Sequence, residues 1–137
     1  MTPTTVSAPP PVSPVFNRIL WALQILLALL FGFSGMGKLL GAKEMVAIFT
    51  TLGQGDWFRY FTGAMEVLSA VALLVPGWAR FGAMNLVGVM VGAVVSHVLK
   101  LGGSPVAALV LLALSGVVDW GRRYQPMFPF ASRKVAR

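Results

Sequence analysis

The sequence predicts an all-α fold: an integral membrane four-helix bundle with both termini in the cytoplasm. Three observations carry this expectation. First, hydrophobic residues make up 57% of the 137 residues and charged residues 11%, against about 45–50% and about 25% in a soluble domain. A single small domain has too much surface for its volume to hide that much apolar area. Second, the apolar residues fall into long runs. Residues 19–37, 81–99 and 101–118 carry no Lys, Arg, Asp or Glu, whereas a buried core helix stays apolar for about 10–14 residues. Third, the 11 Lys+Arg and 4 Asp+Glu gather at the ends of those runs and in the C-terminal tail.

Taken in order, residues 1–17 hold five of the nine prolines and show no apolar period before Val15. They read as an unstructured or polyproline-like tail. The following run ends in Gly35-Met36-Gly37-Lys38 without a small-residue cleavage site, so it is expected to be retained rather than removed as a leader. The membrane domain is expected over 18–124. Its first span is Ile19–Gly37, with Trp21 at an interfacial position and Lys38 closing it. Met45–Phe49 is apolar but too short to cross and reads as a surface helix, followed by a turn at Gly53-Gln54-Gly55-Asp56. Trp57, Phe58 and Tyr60 form an interfacial belt. The second span is Trp57–Val75, interrupted by Arg59 and Glu66 and ended by Pro76-Gly77. The third is Phe81–Leu99, and the fourth is Ser104–Trp120. A basic tail follows over 125–137.

Four spans put both termini on one side, and the positive-inside rule selects it. Arg18, Arg80, Arg122, Arg123, Arg133, Lys134 and Arg137 fall on the side of the termini; Lys38, Lys43, Arg59 and Lys100 fall on the other. The termini are therefore expected in the cytoplasm, where the tail can also attract anionic headgroups. The basic residues follow the span ends instead of one face, so no nucleic-acid partner is expected. Cysteine is absent, which excludes disulfide and thiol-relay chemistry.

Helical spacing sorts the polar residues. Gln24, Ala28, Phe31, Gly35 and Lys38 share a face of span one. Thr62, Glu66 and Ser69 share one in span two, with Gly63 beside it. Asn85, Gly88, Gly92 and Ser96 share one in span three, with His97 adjacent. Gly88, Gly92 and Ser96, four apart, permit close helix approach, either within the bundle or across a homodimer or larger membrane complex.

Glu66 is the most informative residue, because a carboxylate inside a span marks a functional site by default. It must be paired, protonated or exposed to a wet cavity. Lys38, Arg59 and His97 can approach it in the outer half of the bundle. Three readings stand open: an ion pair of Lys38 or Arg59 with Glu66 that fixes packing, a pocket for a ligand such as a quinone headgroup, or a proton or ion path. No metal is expected. One imidazole and one carboxylate leave a zinc shell incomplete, and one histidine cannot supply two haem ligands. At the opposite end Asp119 is followed by Arg122 and Arg123 at i+3 and i+4, with Arg80 on the same side, and this set reads as a cytoplasmic anchor. Phosphate loops, His-Glu-x-x-His and Gly-x-Ser-x-Gly are missing from the sequence, and no catalytic residue is assigned.

The segment Arg59-Tyr60-Phe61-Thr62-Gly63-Ala64-Met65-Glu66 resembles the Arg-x-x-x-Gly-x-x-Glu block of the DoxX-like membrane proteins. The stretch from Leu23 to Leu39, the stretch from Arg80 to His97 and the small fourth helix are similar to that family as well, so the likeness covers about residues 18–124. The resemblance implies a multi-pass four-helix protein of the bacterial cytoplasmic membrane, with Lys38, Arg59, Gly63, Glu66 and His97 at characteristic positions. Three functions compete. A small membrane subunit or assembly factor predicts a dry Lys38–Glu66 region and an exposed small-residue face. A quinone-linked oxidoreductase subunit predicts a lipid-open pocket lined by Glu66, His97 and aromatics such as Phe61 or Trp57. A small-solute carrier needs more room than four short spans give a monomer.

Overall fold

In the computed structural model of the protein, residues 12–125 are described. The first helix, α1, runs Pro14–Leu40. Ser13 caps it by accepting the Phe16 N–H at 3.2 Å, and Pro14, which has no N–H to lose, stands in its first turn. The helix therefore begins within the stretch expected to be an unstructured tail. Residues 1–11 of that tail and nearly all of the basic tail over 125–137 lie outside the described residues. Gly41, at φ +73°, ends α1, and the Ala42 N–H returns to the Gly37 carbonyl at 2.9 Å in a Schellman turn.

Helix α2, Lys43–Leu52, is short and amphipathic, with Phe49 and Leu52 buried. It stops at Gly53, another left-handed glycine. Helix α3 spans Asp56–Leu74 and gives way to the Pro76-Gly77 turn. Helix α4, Ala79–Ser96, runs directly into a π-helical turn at His97–Leu101. Helix α5 is Val106–Gly121.

α1 packs along α3, α3 along α4, α4 along α5, and α5 returns to α1, while α2 lies against α3 and the π turn. The core between them is apolar: Leu27, Phe31, Leu73, Leu86, Met90 and Val118 are among its members. Glycine governs the closest approaches. A methyl at Gly82 would stand 2.7 Å from the Ser69 carbonyl oxygen, so only glycine lets α4 sit this near α3.

The surface is inverted relative to a soluble protein. Leu29, Phe33, Leu68, Val71, Val98 and Leu99 point outward, while Gln24, Arg59, Glu66, Ser69 and Ser115 are buried. Water would penalise that apolar exterior and lipid does not, so the chain is embedded in a bilayer. Two helices are long and apolar enough to cross, Pro14–Leu40 and Ala79–Leu101. The other two expected spans differ from these. α3 has the length but carries Asp56, Arg59 and Glu66. α5, with 16 residues, reaches about 24 Å at the usual rise, short of a hydrocarbon core about 30 Å thick.

Candidate functional site

Lys38 closes α1 and Glu66 sits ten residues into α3, about 15 Å along its axis. Helical side chains lean toward the N-terminus of their own helix. In this antiparallel pair Lys38 leans inward and Glu66 leans outward, so the two converge. Lys38 Nζ donates to Oε1 and Oε2 of Glu66, each at 2.9 Å, and to Ser34 Oγ at 2.8 Å. All three ammonium protons are thereby used. Glu66 is 2% exposed and the Lys38 side chain 12%.

Glycine makes the convergence possible. A Cβ on Gly35 would meet the Gly63 carbonyl oxygen at 2.8 Å, and one on Gly63 would meet Lys38 Cβ at 2.9 Å. α1 and α3 touch backbone to backbone one turn from the ion pair, a role for Gly63 and Gly35 that any larger residue would prevent.

Arg59 lies on the same face as Glu66 but does not reach it. Its Nη1 donates to the Lys38 carbonyl, which at the C-terminus of α1 accepts otherwise only a long bond from the Gly41 N–H, 3.4 Å. Its Nη2 lies 3.4 Å from Asp56 Oδ1, and its guanidinium stacks 4.4 Å from the Tyr60 ring centroid. Of the two cations the sequence offered to Glu66, Lys38 takes the carboxylate and Arg59 caps the helix that carries Lys38.

A cavity of about 540 Å³ opens beside the ion pair. Its wall is mostly apolar, with Phe31, Phe49, Phe58, Phe61, Met65 and Met84 among its residues, and α2 covers one end through Met45, Ile48 and Leu52. Lys38, Glu66 and His97 all reach it. His97 Nδ1 stands 3.2 Å from the Gly102 carbonyl oxygen; a carbonyl only accepts, which assigns the ring proton to Nδ1 and leaves Nε2 an acceptor in the neutral ring. The Gly102 N–H returns to the His97 carbonyl at 3.0 Å, so one residue pair both closes the π turn and orients the imidazole. Gly88 and Gly92 also front the cavity. A Cβ on either would meet nothing within 4 Å, so the expected close helix packing at this stripe is not made among the described residues. The Ser96 hydroxyl bonds back to the Gly92 carbonyl at 2.8 Å.

The far end of the bundle holds a second polar cluster. Arg80 Nε faces Asp119 Oδ1 at 3.7 Å, and Arg80 Nη1 donates to the carbonyls of Arg123 and Gln125. Arg122 turns away from Asp119, despite the i+3 spacing, because Gln24 and Asn17 of α1 offer it oxygens at 2.8 Å. Burial pushes the Arg122 guanidinium below its ordinary range, without removing its charge near neutral pH. Arg123 stacks over Trp120 and Tyr124.

A family model described as the DoxX-like family matches residues 22–118. That stretch takes in α3, α4, the ion pair, the cavity and most of α1 and α5. The chain belongs to the DoxX-like family. No curated protein and no solved structure matches it. The DoxX-like match spans Lys38, Arg59, Gly63, Glu66 and His97 together, the residues by which the sequence resembles the family.

In this DoxX-like protein the sequence put Gln24 and Asn85 on polar faces and Lys100 at a span end, but gave none of the three a role in the geometry. Gln24 donates to the Leu73 carbonyl at 2.7 Å while accepting from Arg122, tying α1, α3 and the end of α5 together. Lys100 donates to the Leu52 carbonyl at 3.0 Å, holding α2 to the π turn. Asn85 lines the cavity. The available signal was their position on or beside the polar stripes; the partners are separated by 48 or more residues and leave no spacing to read.

Proposed function

We propose that this DoxX-like protein is a small membrane subunit whose cavity binds a lipid-soluble ligand of the quinone class. One observation carries the reading: a mostly apolar cavity of about 540 Å³ sets Lys38, Glu66 and His97, with a few neutral polar groups, in a wall built largely from aromatic and aliphatic side chains. That is the pattern of a small-molecule site, where a few polar groups fix orientation within apolar walls. The outward-facing Leu30, Ile48, Phe61 and Met84 favour entry from the lipid. The residues present fit a quinone, with aromatics for the ring, aliphatics for a tail and a bare His97 Nε2 for a hydroxyl. A quinone supplies two-electron, two-proton chemistry when bound; the residues here bind, orient and exclude water.

The same reading takes α1, α3, α4 and α5 as four spans of a bacterial cytoplasmic membrane protein with both termini inside. Its support is the charge asymmetry and the clustering of Asn17, Arg80, Asp119 and Arg122 at the end where α1 begins and α5 stops. A second reading, an accessory factor that docks a partner helix, is favoured by the exposed backbone at Gly88 and Gly92. Titration of the purified protein in lipid nanodiscs with decylubiquinone, read by tryptophan quenching, separates the two. Saturable binding supports the ligand site, and a strictly linear, lipid-partitioning response rejects it.

A further inference from the structure

The hydrogen-bonding groups on the cavity wall are almost all committed. The Lys38 ammonium is exhausted by Ser34 and Glu66. The Thr62 hydroxyl turns back on the carbonyls of Phe58 and Arg59, Ser96 turns back on Gly92, and the His97 ring proton faces Gly102. Besides His97 Nε2, which only accepts in this tautomer, the exception is Asn85. Its amide carries two N–H donors and a carbonyl acceptor, it lines the cavity, and it has no hydrogen-bond partner among the described residues. It lies six residues into α4, about 9 Å along the axis, with Met84, Val89 and Met90 around it on the same wall. Because Gly82 abuts Ser69 and Leu73 across the antiparallel α3–α4 seam, Asn85 comes within about one turn of Glu66 in height.

Asn85 is half-buried, and a primary amide without a partner on an apolar wall is costly in lipid. We propose that Asn85 reads the head of the cavity's ligand, and that this head is uncharged and carries a carbonyl oxygen. The proposal rests on the cavity being a ligand site, as argued above. Charge decides the class of head. Lys38 and Glu66 neutralise one another, and the ammonium has no N–H to spare, so a phosphate or carboxylate head finds no free cation on this wall. A carbonyl oxygen accepts from the Asn85 N–H, and the Asn85 oxygen remains open to a hydroxyl on the same ligand.

The test uses the full chain in detergent or nanodiscs, with decylubiquinone as the probe, dodecyl phosphate as competitor and thermal unfolding as the control. Asn85→Leu is expected to weaken decylubiquinone binding by about five- to tenfold, the loss of one hydrogen bond, with a melting temperature equal to or above that of the unmodified protein. Asn85→Gln, which keeps the amide, is expected to stay within about threefold of the unmodified affinity. Should Asn85→Leu fail to fold, Asn85→Ala against Asn85→Gln makes the same comparison. Binding to the leucine variant within about twofold of the unmodified protein removes Asn85 from the site while leaving the cavity reading intact. Displacement by dodecyl phosphate at concentrations equal to decylubiquinone overturns the uncharged head. Absence of saturable binding to the unmodified protein overturns both the cavity reading and the assignment of Asn85.

Discussion

Lys38 Nζ stands 2.9 Å from both carboxylate oxygens of Glu66, across a seam where Gly35 and Gly63 bring α1 and α3 into backbone contact. The pair is bidentate, almost dry and supported by Ser34. Its charges cancel locally, which allows them to sit deep in a lipid-embedded bundle. The same cancellation leaves the neighbouring cavity polar at its wall without being charged.

Removing one partner should therefore be worse than removing both. In Glu66→Gln the Lys38 ammonium stays buried with only neutral acceptors. Truncating one side of a buried pair costs about 3–5 kcal/mol, whereas replacing both sides by well-packed neutral residues is often close to neutral. Thermal unfolding of Glu66→Gln, Lys38→Met and the double variant measures this directly. The singles are expected to fall by several kcal/mol and the double to recover most of the loss. Additive losses in the double variant would show that the two residues act independently.

The glycines divide into two classes that a stability measurement distinguishes. Gly35→Ala puts a methyl 2.8 Å from the Gly63 carbonyl oxygen, and neither backbone can yield without parting the helices. A loss of about 1–3 kcal/mol is expected, as for other overpacked sites. Gly88→Ala meets nothing within 4 Å and replaces the weaker helix former, so it is expected to be neutral or to gain up to about 1 kcal/mol. A loss at Gly88 as large as at Gly35 would point to a neighbour outside the chain packing on that stripe.

These contrasts show what the sequence could and could not convey. The helices were legible because apolar runs, Pro76-Gly77 and Gly53-Gln54-Gly55 punctuate them, and each boundary fell within a few residues except at α1, where Ser13 and Pro14 start the helix early. Glu66 was legible as costly, and Lys38 as its neighbour in depth. The destination of Arg59 was not, because the carbonyls of a helix C-terminus attract a guanidinium as a carboxylate does, and periodicity does not rank the two. Likewise Gly88 and Gly92 have the spacing of a packing motif, but only the positions of α1, α2 and α3 decide whether a helix or a cavity lies opposite.

A related competition holds α2 in place. Lys100 leaves the π turn and donates to the Leu52 carbonyl at 3.0 Å, an orphan acceptor at the end of α2. Gly41 and Gly53 bound that helix in left-handed conformations, and its other anchors are apolar, the buried Phe49 and Leu52. Lys100→Met, which keeps the stem and drops the charge, is expected to loosen α2 by about 1 kcal/mol, the net worth of such a bond. Hydrogen exchange should then quicken by roughly fivefold in residues 43–52 and stay unchanged in residues 20–31. Uniform acceleration across all helices would instead mean that Lys100 stabilises the whole bundle.

The orientation of the chain can be read without disturbing the ion pair, the cavity or α2, because the protein has no cysteine and each introduced thiol is the single label site. Gln54 lies in the exposed turn after α2, and Tyr124 lies just past α5 and is also exposed. If the termini are cytoplasmic, Gln54→Cys should react with a membrane-impermeant maleimide in intact cells whose outer membrane has been made leaky. Tyr124→Cys should react only after the inner membrane is broken. The physical basis is the distribution of Arg and Lys between the two ends, seven against four, counted over short loops where the positive-inside bias operates. The reverse labelling pattern inverts the topology. It would also move the Lys38 end of the bundle, with the cavity beneath α2, to the cytoplasmic face.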